Sequence, residues 1–89
     1  MKMTYDQAIS AANNAETYAL AAKEGEGVTA ADLCDWIREC TYAEVQLREA
    51  FAIDVAGGCT VDASFGRCLL IIEYSLKTLE AAIIDALCS

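Results

Sequence analysis

This chain has no histidine and no proline, six basic side chains against fourteen acidic ones, and no apolar run longer than five residues. Each absence excludes something. Without His, the common Ser-His and Cys-His nucleophilic pairs have no base. Mixed Cys/His zinc sites and the Glu-x-x-His pattern of di-metal bundles lose a ligand for the same reason. With a net charge of −8, Lys and Arg are too few to neutralise a row of phosphates, so a direct grip on nucleic acid is not expected. Adhesion to an anionic membrane surface is disfavoured equally. The longest apolar runs, Tyr18 to Ala22 and Cys68 to Ile72, fall far short of the roughly 20 residues a membrane-spanning helix needs.

Other chemistry is thin as well. The five cysteines, Cys34, Cys40, Cys59, Cys68 and Cys88, include no C-x-x-C pair. Cys34 and Cys40 are six residues apart, about 240° round a helix, and do not face each other. Met1-Lys2-Met3-Thr4 runs straight into a polar helix start, so no signal peptide is expected. The expected location is therefore cytoplasmic, with thiols reduced. Cys40 and Cys68 read as small core residues, Cys59 and Cys88 as exposed thiols. Asp32-Leu33-Cys34-Asp35 lacks the spacing and glycine of a calcium loop. Gly57-Gly58-Cys59-Thr60 lacks the Lys of a phosphate loop, and Gly25-Glu26-Gly27 would repel phosphate. Acyl carrier proteins are also small and acidic, but their Asp-Ser-Leu motif is missing, Asp62-Ala63-Ser64-Phe65 being the nearest text. The expectation is a protein without catalysis, cofactor or metal.

What is present is helix. The apolar fraction is 56%, too high for a disordered acidic tail, and 17 of the 89 residues are Ala. We expect one all-α domain over residues 1–89, a small bundle of three long helices. The first block, Thr4 to Glu24, opens on a capping box, Thr4-Tyr5-Asp6-Gln7. Tyr5, Ala8, Ile9, Ala12, Ala15, Ala19 and Ala22 fall on one side of it, and Gly25 and Gly27 end it. The second block, Thr29 to Ala56, begins with Thr29-Ala30-Ala31-Asp32 and closes at Gly57-Gly58. Its apolar side is Leu33, Trp36, Ile37, Cys40, Leu47, Phe51 and Val55, with Glu44 in the middle of the stripe, where a carboxylate does not belong. A kink or split near Thr41 would relieve this, because Thr41-Tyr42-Ala43-Glu44 is itself a capping box. We expect the kink in preference to two separate helices. Strand-like alternation occurs only at Phe51-Ala52-Ile53-Asp54-Val55, where the helical stripe explains it equally well.

The third block, about Asp62 to Leu87, carries two apolar rows. Phe65, Leu69, Ile72, Leu76, Leu79, Ile83 and Ala86 alternate spacings of 4 and 3, a coiled-coil-like seam. Leu70, Tyr74, Lys77, Ala81, Ile84 and Cys88 repeat the spacing about 140° further round. A helix apolar on two faces is buried on two faces. One face can pack on the first two helices. The other is either core of a compact four-helix arrangement or an interface, and the short, Ala-rich chain favours an interface. The candidate homo-oligomer residues are Leu70, Tyr74, Ala81 and Ile84, with a dimer favoured.

A second candidate surface lies on the second helix. Asp32, Asp35, Glu39, Gln46 and Glu49 fall within about 100° of arc, with Tyr42 among them. This is either an ordinary solvated face or a carboxylate row with an aromatic anchor, suited to an Arg/Lys-rich surface. The candidate partner-binding residues are Asp32, Asp35, Glu39, Tyr42 and Glu49. They suit a non-enzymatic inhibitor that occupies the basic, nucleic-acid-binding surface of a larger protein. In size and charge alone, the chain is similar to host-defence inhibitors made by bacteriophages, anti-CRISPR proteins among them. The alternative is a self-assembling scaffold or an oligomer that captures a small ligand. The helix layout resembles that of phage proteins that sequester cyclic nucleotides, and Lys23, Arg67 and Lys77 are the cations available for such a ligand's phosphate.

Overall fold

The structure, a computed structural model, describes residues 3–56 and 63–88. The Gly57-Gly58 turn and Cys59 lie outside the described residues, as do the side chains of Phe51 and Val55. The described residues form three α-helices, α1 (Tyr5–Glu24), α2 (Ala30–Ala56) and α3 (Ala63–Cys88), with no strand among them. The caps follow the sequence. The Thr4 side chain accepts from the Gln7 N–H at 3.2 Å, and the Thr4 N–H donates to Gln7 Oε1 at 2.9 Å. The α2 start repeats this with an acid in the third position. The Thr29 N–H donates to Asp32 Oδ2 and the Asp32 N–H to Thr29 Oγ1, both at 3.1 Å. Such boxes satisfy backbone donors that the first helical turn leaves unpaired. At the far end of α1, Gly25 takes the left-handed conformation (φ 72°) and its N–H closes on the Ala21 carbonyl at 3.0 Å. No neighbour lies within 4 Å of where a Cβ would stand, so the backbone conformation alone calls for glycine there.

The helices run up, down and up. Tyr5 at the start of α1 meets Phe65 near the start of α3 edge-to-face at 5.6 Å, so these two helices are parallel. Tyr18, late in α1, stacks on Trp36, early in α2, at 5.1 Å, so that pair is antiparallel. α3 is the central element. Both other helices pack mainly against it and only lightly against each other. The result is a rod of 49 × 18 × 17 Å.

The core is a thin seam along this rod. α1 contributes Ala8, Ala12, Ala15 and Ala19, all buried, so it brings backbone rather than side-chain bulk against its neighbours. α2 contributes Leu33, Cys40, Ala43, Leu47 and Ala50, and α3 contributes Cys68, Ile72, Leu76 and Leu79. Leu47, Ile72 and Leu79 are fully buried and are among the largest side chains of the core, each worth about 1.5–3 kcal/mol relative to an exposed position. Among the described residues, no buried side-chain nitrogen or oxygen lacks a partner.

Of the two readings of the second block, the structure excludes the split. α2 is a single helix of 27 residues that runs through Thr41, with no split and no second cap there. Glu44 does not restart a helix. Its carboxylate lies 4.0 Å from Arg48 Nε one turn on, and Arg48 also pairs with Glu73 of α3. A guanidinium supplied between α2 and α3 answers the charge that the apolar stripe could not, so the backbone has no reason to break.

Candidate functional site

The continuity of α2 decides the geometry of its acidic face. Because the helix is unbroken, Asp35, Glu39, Tyr42, Gln46 and Glu49 remain on one side over its middle turns. Their environments differ. The Asp32 carboxylate closes the α2 capping box. Asp35 is exposed and 3.9 Å from Arg38, a solvent-screened contact of little energetic weight. Glu39 accepts a hydrogen bond from the Tyr18 hydroxyl at 2.8 Å. That bond, and then burial, push the Tyr18 phenol above its ordinary value, because a neighbouring carboxylate resists formation of a second anion. Tyr42 stands 67% exposed, and Glu49 is exposed. Beside this row, α1 and α2 leave a shallow groove of about 440 Å³ lined by Gln7, Asn14, Glu39, Tyr42 and Gln46. Tyr42 therefore lies where acid row and groove meet, with Met3 lining the same groove.

The second candidate surface is the outer face of α3. Leu70, Tyr74 and Ile84 are 67%, 64% and 59% exposed, and Ala81 is exposed as well. The chain's own helices leave this row uncovered, which excludes the reading of it as intrachain core. Two adjoining grooves between α1 and α3 border it. One, about 420 Å³, is lined by Leu20, Lys23, Arg67, Leu70 and Tyr74. The other, about 530 Å³, is lined by Lys23, Tyr74, Lys77, Ala81 and Asp85. Lys23 and Tyr74 belong to both, and the Lys23 ammonium sits 5.6 Å from the Tyr74 ring centroid. Lys23, Arg67 and Lys77 thus gather on one face of an otherwise acidic chain. Sequence reading missed Leu20, 56% exposed, and Leu87, 73% exposed. The signal for Leu20 was a lone Leu off the alanine row of α1. Leu87 follows the last member of the inner row, where the helix has run past its neighbours.

The cysteines divide as their positions suggest. Cys40 and Cys68 are buried, Cys34 and Cys88 exposed. Burial, reinforced by Glu39, pushes the Cys40 thiol up to about 11. Burial also raises Cys68, against a small opposing pull from Arg67. Both are held as thiols, the opposite of the low-pKa thiolate a nucleophile needs. Among the described residues, no group of three or more His, Cys, Asp or Glu side chains is placed to hold a metal ion, and no helix is long and apolar enough to cross a membrane. Comparison with protein families, with curated proteins and with solved structures finds no match to this chain.

Proposed function

We propose that this protein is a non-enzymatic binding protein that presents the acidic face of α2 to an Arg/Lys-rich surface on a larger protein, and so inhibits a partner that uses that surface for nucleic acid. The observation that carries this reading is the unbroken α2. It keeps Asp35, Glu39 and Glu49 in one row with Tyr42 projecting among them. A broken helix would have divided the row. Partially exposed carboxylates attract a basic partner over about 8–10 Å at ordinary salt and set orientation and encounter rate. An exposed Tyr at the centre supplies the apolar anchor that binding surfaces concentrate. Glu39, already fixed by Tyr18, presents its carboxylate in a set position.

The test is capture from a native lysate by immobilised wild-type chain and by a D35K/Y42A/E49K variant. The expected result is salt-sensitive retention of a protein with a basic surface, lost in the variant while its melting temperature is unchanged. Equal capture by both would remove this role from α2. A second reading, self-association through α3, is favoured by a separate observation, the exposed row Leu70, Tyr74 and Ile84. The two readings use different sides of the rod and do not compete.

A further inference from the structure

We infer that the outer face of α3 forms a two-fold interface with a second copy of this chain, the two α3 helices lying antiparallel and crossing at the midpoint between Ser75 and Leu76. The inference rests on reading α3 as an association face and adds a register, set by the charges along the row.

Arg67, Leu70, Tyr74, Lys77, Ala81 and Ile84 follow successive spacings of 3, 4, 3, 4 and 3, and all are exposed. That is the alternation that lets two helices interdigitate along a seam. In a two-fold antiparallel pair, residues equally distant from the midpoint face each other. With the midpoint between 75 and 76, Leu70 meets the second copy's Ala81, large against small. Tyr74 meets the second copy's Lys77, so the ring takes an ammonium across the interface as it already takes Lys23 within the chain. Arg67 lays its stem on the second copy's Ile84 and brings its guanidinium to Asp85, the next residue. Symmetry makes each of these contacts twice.

The alternatives are worse on the same residues. Parallel pairing in register sets Lys77 on Lys77 and Arg67 on Arg67. An antiparallel pair moved one heptad toward the N-terminus sets Arg67 on Lys77. Moved one heptad the other way, it removes Arg67 from Asp85 and shortens the overlap. In the favoured register like charges approach at two places: Lys77 nears its own copy, offset by three residues across the two-fold, and meets Lys23 at the second copy's Tyr74 ring; and Glu80 nears Glu73, whose charge Arg48 already holds. The acidic face of α2 is not used, so the net charge of −8 per copy is kept mostly away from the seam.

The test is light scattering with sedimentation at tens of micromolar on wild type, R67E and D85K. Wild type is expected to be a dimer. Each variant alone places like charges at both ends of the seam and should weaken the dimer by about tenfold or more, since like-charge juxtaposition at an interface costs several kcal/mol. An equimolar mixture of R67E and D85K restores opposite charges at both ends, so dimers should return, with helix content unchanged throughout. A monomeric wild type would overturn the association face itself. A dimeric wild type whose variants dimerise equally well, or whose mixture stays monomeric, would overturn the register and leave the face standing.

Discussion

The two rows of α3 have the same spacing, the outer one interrupted by Lys77, and they meet opposite fates. Ile72, Leu76 and Leu79 are enclosed by α1 and α2, while Leu70, Tyr74 and Ile84 face solvent. The outer row carries cations that the inner row lacks, and the neighbours complete the difference. α1 and α2 both lean on α3 and hardly on each other, so they enclose one side of it and leave the other open. Three helices with an alanine-rich member cannot surround a fourth face.

The comparison breaks most directly by truncation. Leu79→Ala should lower unfolding free energy by about 2–5 kcal/mol, the usual cost of a cavity in a well-packed core. Leu70→Ala should change it by no more than about 0.5 kcal/mol when denaturation is followed at submicromolar concentration, where association contributes nothing. Equal losses at the two sites would erase the distinction between the rows. A smaller effect probes the other side of the seam. Ala12 is buried where α1 meets the core, so Ala12→Leu should cost about 1–3 kcal/mol by overpacking. Asn13→Leu, one residue on and exposed, should cost little in the same denaturation experiment.

The smallest effect concerns pH. The fold raises the Cys40 thiol from 9.0 to about 11, so it favours the protonated form. That contribution is complete below pH 9 and is lost as pH climbs from about 9 toward 11, because the unfolded chain ionises first. Denaturant midpoints measured at pH 8 and pH 10.5 should fall more for wild type than for Cys40→Ala. A parallel fall in both would assign the alkaline loss to other groups.

Much of the architecture was legible from residues a few positions apart. Thr4 with Gln7 and Thr29 with Asp32 set two helix starts, and Gly25 set a helix end, because caps are local hydrogen bonds. The alanine row of α1 was legible because burial on a helix follows its period. Of the two readings of α2, the single helix was favoured and is found, and the split that the residues also allowed does not occur. The residues around Glu44 carry a capping-box pattern, and nothing near them announces that Arg48 would be drawn to Glu73 from another helix. The acid row was visible as an arc of charge. That Asp32 would serve the cap and Glu39 would take the Tyr18 hydroxyl was not, because Tyr18 lies 21 residues away along the chain.

The sequence by itself determined three helices, two of their starts, the end of the first and the division of apolar from acidic faces, all of which follow from propensity, capping and a period of 3.6 residues. Only the tertiary structure decided between a whole and a split α2, which row of α3 turns inward and which carboxylates are engaged within the chain. Those outcomes depend on contacts between helices. Periodicity fixes which residues share a face, and the packing of the other helices fixes which face is covered.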